Sequence, residues 1–183
     1  MASTYVTLVN QLLRRLNEFA LDTAGSGFGT VKGVQALVKD AINNSIRHIL
    51  QSGQEFPFLK TTYTHTLTAL QQENSFPSDF SSVDWDPFFL KLHTTAGNEP
   101  RLLSPISYEE FLHKYRVADE TDTTGGAPLL VYQTYEEKFG ISPPPSTDFE
   151  VEYVYFMYPN DLSAYNDTCV IPSRFDHIIV DGA

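Results

Sequence analysis

Between Gly33 and Leu59 the residues Val34, Leu37, Val38, Ala41, Ile42, Ile46, Ile49 and Leu50 recur at spacings of three and four. That spacing winds them into one apolar stripe along a helix. Lys39, Asp40, Asn43, Asn44 and Arg47 fall on the opposite side. Gly53 is expected to stop the helix, and Phe56-Pro57-Phe58-Leu59 to fix an extended exit dense with aromatic carbon. The chain therefore leaves a helical layer here and enters something else. Upstream, Ser3 and Thr4 are N-cap candidates, and Val6, Val9, Leu12, Leu13, Leu16 and Phe19 give a second amphipathic helix running to about Phe19. Gly25, Gly27 and Gly29 between the two helices have the spacing of a phosphate cradle. No strand precedes them and no Gly-Lys-Ser/Thr follows, so they read as a mobile connection.

From Thr61 the period changes. Thr62, Thr64, Thr66 and Thr68 alternate with Tyr63, His65, Leu67 and Ala69, which is strand spacing. Residues 71–75 read as a turn, 76–80 as an irregular crossing, and 88–92 as a strand turned back at 96–100. Residues 101–106 form a short extended piece, and Ser107-Tyr108-Glu109-Glu110 is a capping box opening a helix with Phe111, Leu112 and Tyr115. A polar loop over 116–128 precedes a strand at 129–134; Lys138 and Gly140 flank a turn, with Phe139 and Ile141 extended. The strongest strand is 149–158: Phe149, Val151, Tyr153, Tyr155 and Met157 on one face, Glu150 and Glu152 and then Val154, Phe156 and Tyr158 on the other. Such a strand is either central or a contact surface. Residues 161–170 read as a loop, and Phe175, Ile178, Ile179 and Gly182 begin a third helical stripe too short to stand by itself. A partner must cover that stripe, or the natural sequence must continue. The fold class is α+β: an N-terminal helix pair (1–54), an antiparallel β-rich insertion with one short helix (55–170), and the start of a C-terminal helix packing on the first two (171–183).

Charge narrows the functions. The 183-residue chain carries a net charge of −11. Residues 1–60 hold six basic side chains and four acidic ones, so the acidity lies downstream. Gripping nucleic acid requires Lys and Arg in numbers this chain lacks, whereas an acidic surface lets DNA slide past without sticking. The lone Cys169 forms no intrachain disulfide and no cysteine-based zinc site, which fits a reducing compartment. No secretory leader or membrane-spanning run is expected, and the chain reads as cytosolic in origin without a membrane anchor.

Candidate chemistry is sparse. His48, His65, His93, His113 and His177 are scattered without a His-x-x-x-His pair. Asp119, Glu120 and Asp122 ahead of Gly125-Gly126 lack the spacing of an EF-hand. There is no Gly-x-Ser-x-Gly elbow, and Glu150 with Glu152 is also what a solvated strand face looks like. No catalytic residue, metal or cofactor is assigned.

The order of segments carries more than any one residue. A helix pair is followed by the aromatic-proline exit, the Thr-rich strand, Phe76-Pro77-Ser78-Asp79-Phe80, Val83-Asp84-Trp85-Asp86 and the Ser107-Tyr108-Glu109-Glu110-Phe111 helix. Then come Phe139-Gly140-Ile141-Ser142-Pro143-Pro144-Pro145, the Tyr-rich strand and Ile171-Pro172-Ser173-Arg174-Phe175-Asp176-His177-Ile178-Ile179-Val180. Together these resemble the adaptor proteins of short-tailed phages, also called tail tubular proteins or head-to-tail connectors. The resemblance implies a helical part built from both chain ends around a β-rich insertion. It also implies a non-enzymatic virion protein at the head-tail junction, assembled in the host cytoplasm. Such proteins form a ring, usually of twelve subunits, that docks beneath the portal, extends the DNA channel and supports the tail nozzle. DNA would pass without sequence-specific binding.

A ring needs two different complementary patches on each subunit. Candidates are Arg14 and Arg15, Tyr153, Tyr155, Phe156 and Tyr158, and Phe175, Ile178 and Ile179. Asp119, Glu120, Asp122, Glu150 and Glu152 are candidates for the channel wall. The competing readings are a β-rich tail module that holds a protein or glycan with exposed aromatics, and a small hydrolase using carboxylates of the β region.

Overall fold

In chain order the computed structural model, which describes residues 2–52, 54–91, 101–135 and 138–183, contains β1 (Ala2–Thr4), α1 (Tyr5–Arg15), α2 (Val34–Leu50), β2 (Lys60–Leu67), β3 (Glu73–Ser75) and β4 (Phe80–Lys91). There follow β5 (Arg101–Leu102), β6 (Ser104–Pro105), α3 (Tyr108–Lys114), α4 (Arg116–Thr121), β7 (Leu130–Gln133), β8 (Lys138–Ser142), β9 (Phe149–Met157), β10 (Thr168–Pro172) and α5 (Asp176–Gly182). The architecture is α+β. The expected stop at Gly53, the turn at 96–100 and the positions of Leu92 and His93 lie outside the described residues.

The chain divides into two compact units, Met1–Leu59 with Tyr158–Ala183, and Lys60–Met157. The inserted unit thus ends at Met157 and not at 170. The reason is apolar: Leu162, Tyr165, Cys169 and Ile171 pack into the core of the helical unit, and Phe58 and Leu59 stay with it too. Residues 168–172, expected in part as loop and in part as helix start, form β10, which pairs antiparallel with the unexpected β1.

In the helical unit Leu8, Val9, Leu13, Ile42 and Ile179 are fully enclosed. α5 packs on α1 and α2, so the third stripe is covered within the chain: Ile179 and Val180 are buried. α1 stops at Arg15, short of the expected Phe19. Asn17 adopts φ 59°, while its N–H bonds to the Arg14 carbonyl and that of Glu18 to the Leu13 carbonyl. This is a Schellman closure, and asparagine tolerates the left-handed position it requires. Two side-chain amides then tie down loops. Asn10 bonds both backbone groups of Leu21, and Asn43 bonds both of Leu162. Tyr5 donates its hydroxyl to the Lys39 carbonyl at 2.8 Å, and burial with nearby Asp40 and Asp161 holds the phenol un-ionised far above its ordinary range.

The inserted unit is two four-stranded sheets, ordered β2-β9-β4-β5 and β3-β8-β7-β6. Their facing residues share one core of Leu67, Phe88, Leu90, Leu103, Val131, Phe139, Ile141, Val151 and Tyr153. Among the described ladders all are antiparallel except β6 with β7. β3 occupies part of the expected 71–75 turn, β8 runs unbroken where a turn was expected between Lys138 and Gly140, and α4 forms in the expected polar loop. Of the expected capping box the N-cap bond is present, the Glu110 N–H donating to Ser107 Oγ at 3.1 Å, while the Glu110 carboxylate pairs with Lys114 one turn on. Gly140 answers a packing need, because a Cβ there would lie 2.2 Å from the ring of the buried Tyr132.

Candidate assembly surfaces

Strand β9 decides the fate of the aromatic candidates. It lies between β2 and β4, with all eight β2 residues in register from Lys60 opposite Phe156 to Leu67 opposite Phe149. Tyr153, at 0% exposure, and Tyr155, at 5%, therefore project into the sandwich core. Tyr153 stacks on Phe88 at 4.8 Å between ring centroids, and Tyr155 donates to Asp79; burial and that carboxylate push its phenol up to about 12. Phe156 is also buried, with Lys60 Nζ 5.7 Å from its ring centroid. The expectation that these three rings offer an exposed contact surface is corrected: all three are buried, Tyr153 and Tyr155 in the core shared by the two sheets. Of that group only Tyr158, in the helical unit, reaches the surface, where its hydroxyl accepts from Gln51.

The acidic candidates have local employment. Asp119 is half-buried, accepts from Gln72 Nε2 at 2.6 Å, and is raised above the ordinary carboxylate range chiefly by desolvation. Glu120 pairs with Arg116. Asp122 Oδ1 accepts from the Thr124 N–H and hydroxyl and the Gly125 N–H, which hold its carboxyl low and fix a turn. Glu152 pairs with Lys91 across β9 and β4. Glu150 and Glu152 share the half-exposed outer face of β9. The inserted unit as a whole holds six basic and fifteen acidic side chains, a balance of −9.

The helical unit supplies the apolar surface. Arg14 and Arg15 both lie exposed at the end of α1; Arg15 pairs with Asp181 of α5, while Arg14 has no ion pair among the described residues. Beyond the Schellman turn Phe19 stands 86% exposed, and Leu16 and Leu37 are also open. At the other end of α2, Ile49, Phe56, Phe58, Ile171, Phe175 and Ile178 line an apolar cavity of about 190 Å³. Two of the expected interface residues, Phe175 and Ile178, are thus brought together, whereas Ile179 faces inward. Phe19 was legible only as a stripe residue. Asn17 two positions earlier, a residue suited to a helix end, is the signal that could have placed it outside the helix.

Cys169 is buried and its thiol is pushed up by desolvation, the opposite of an activated nucleophile. Among the described residues no cluster of His, Cys, Asp or Glu is arranged to hold a metal, and no helix is long and apolar enough to cross a membrane.

An α+β chain whose prominent surfaces are apolar knobs, an apolar hollow and charged faces has the make-up of a structural assembly component. More specifically, the chain belongs to the SU10 adaptor protein family, whose model matches residues 3–183. It is accordingly a phage adaptor protein, a virion component that interacts with other head and tail proteins, and its family role is structural. No curated protein matches the chain.

Proposed function

We propose that copies of the chain form a closed ring, of twelve subunits, beneath the portal at the capsid vertex, where the ring extends the DNA channel and supports the tail nozzle. The observation that carries this reading is the adaptor-family match over residues 3–183. Two physical features support it. The helical unit bears two unlike apolar patches at opposite ends of α2, and a heterologous contact between unlike patches is what a ring requires. A net charge of −11 disfavours adhesion of DNA, so a passing duplex is not held. Glu150 and Glu152, on the outer face of β9, are the foremost candidates for a channel wall, with Asp119, Glu120 and Asp122 beside them in the proposal. Arg14, exposed and without an ion pair among the described residues, is the foremost charged contact to a neighbour or to the portal.

The reading is tested by adding the purified protein to tailless heads of the same virus and imaging them by electron microscopy. A new layer beneath the portal is the expected result. Heads that gain no layer at saturating protein overturn it. The rival reading, a β-rich tail module that holds a protein or glycan with exposed aromatics, cannot use Tyr153, Tyr155 or Phe156, which are buried, and would fall to Tyr63, Phe89 and Tyr135.

A further inference from the structure

We infer that Phe19 of one copy inserts into the apolar hollow lined by Ile49, Phe56, Phe58, Ile171, Phe175 and Ile178 of the next copy, making a head-to-tail contact between helical units. The inference rests on the ring reading and names the residues of its subunit contact.

Four observations carry it. First, Phe19 is the most exposed large apolar residue of the described chain, at 86%, and a phenyl ring left in water forgoes the free energy of burial. Second, the hollow measures about 190 Å³ and is lined only by aliphatic and aromatic side chains. An apolar cavity of roughly 150 Å³ accepts one benzene molecule and stays dry without it, so this volume suits one phenyl ring. Third, the knob cannot reach its own hollow. Gln35 Nε2 donates to the Phe19 carbonyl, which anchors the knob at the first turn of α2, whereas Ile49 lies in its last turn. At 1.5 Å of rise per residue these turns are about 21 Å apart along a rigid helix. The occupant must come from another molecule. Fourth, the flanks match in charge. Glu18 is exposed beside the knob, and the exposed Arg174 guanidinium sits 4.8 Å from the Phe175 ring centroid beside the hollow. Because knob and hollow are different patches on one unit, repetition of the contact closes a ring when the rotation between copies allows it.

The test measures ring formation of the full chain by sedimentation and electron microscopy, in the presence of portal from the same virus, across a series of protein concentrations. Phe19→Ala removes the knob from a fully solvated position and leaves the fold alone; Ile178→Trp fills the hollow. Each is expected to raise the concentration for half-assembly by roughly 10- to 100-fold, the equivalent of one buried phenyl ring. Thermal unfolding of Phe19→Ala should match the natural chain. Glu18→Arg and Arg174→Glu should each weaken assembly, and combining them in one chain should restore it. Rings from Phe19→Ala at the natural chain's concentration overturn the inference while leaving the ring reading intact. So does a Phe19→Ala ring that forms normally and fails only to bind portal. A natural chain that forms no ring overturns both.

Discussion

Asn43 holds Leu162 by both backbone groups: its Nδ2 donates to the Leu162 carbonyl at 2.9 Å, and its Oδ1 accepts from the Leu162 N–H at 3.2 Å. The same Nδ2 lies 3.2 Å from the Tyr5 hydroxyl. One amide on α2 thereby fastens the returning C-terminal segment and α1, the two parts of the chain that the β insertion separates. Replacing it leaves several half-buried polar groups without partners. Asn43→Ala is expected to cost about 2 kcal/mol in urea unfolding. Unchanged stability would show that water replaces the clamp at no cost.

Gly140 is fixed by the ring laid over it. A methyl group there would meet Tyr132 Cε2 and Cζ at 2.2 Å, and Tyr132 is buried among Phe111 and Tyr108 with no room to withdraw. Gly140→Ala should destabilise by at least ~2 kcal/mol. Combined with Tyr132→Leu, the loss should be smaller than the sum of the two single changes, since the leucine vacates the contested space. Strict additivity would place the strain elsewhere.

Tyr153 offers a contrast between ring and hydroxyl. Its ring stacks on Phe88, yet its Oη finds no partner among the described residues. Tyr153→Phe should be neutral or stabilising by up to about 1 kcal/mol, while Tyr153→Ala should cost about 3–5 kcal/mol. A clearly destabilised Tyr153→Phe chain would reveal a hydrogen bond to that hydroxyl.

His65 makes stability depend on pH. Burial lowers its pKa below the ordinary 6.5, only partly opposed by the bond to Asn74 Oδ1 at 3.2 Å. Above 6.5 both folded and unfolded chains hold the neutral ring, and this contribution is complete. As pH falls below 6.5 the unfolded chain takes the proton first, so stability declines until the lowered folded value is passed. Melting curves between pH 7 and 5 should show that decline for the natural chain and less of it for His65→Gln. Parallel profiles would assign the decline to other groups.

Much of the layout could be read before the structure. The stripe from Val34 to Leu50 became α2, Ser107 caps α3, and the Thr-rich alternation of β2 pairs without slippage along β9. These features are set by local period and local hydrogen bonding. What escaped depends on distant partners. β1 and β3 are three residues each and exist only because β10 and β8 lie beside them. Residues 161–170 read as loop because their apolar side chains are spaced irregularly; the place of Leu162, Tyr165 and Cys169 is set by the helical core they fill. The candidate contact residues divided on the same ground. A strand apolar on both faces is central or is a surface, and pairing on both edges made β9 central, which withdrew Tyr153 and Tyr155 from the surface. Ile178 remained outside because the short α5 turns only Ile179 and Val180 inward, and Phe175, just ahead of α5, is half-buried against the same core.

The central claim is that the chain works as a ring on the portal, and native mass spectrometry of the purified portal with added protein tests it most directly. The account predicts one discrete added mass equal to twelve copies of the 20.6 kDa chain, with few intermediate species at saturation. A ladder of one, two and three added chains that never closes, or a portal that gains no mass, would contradict it.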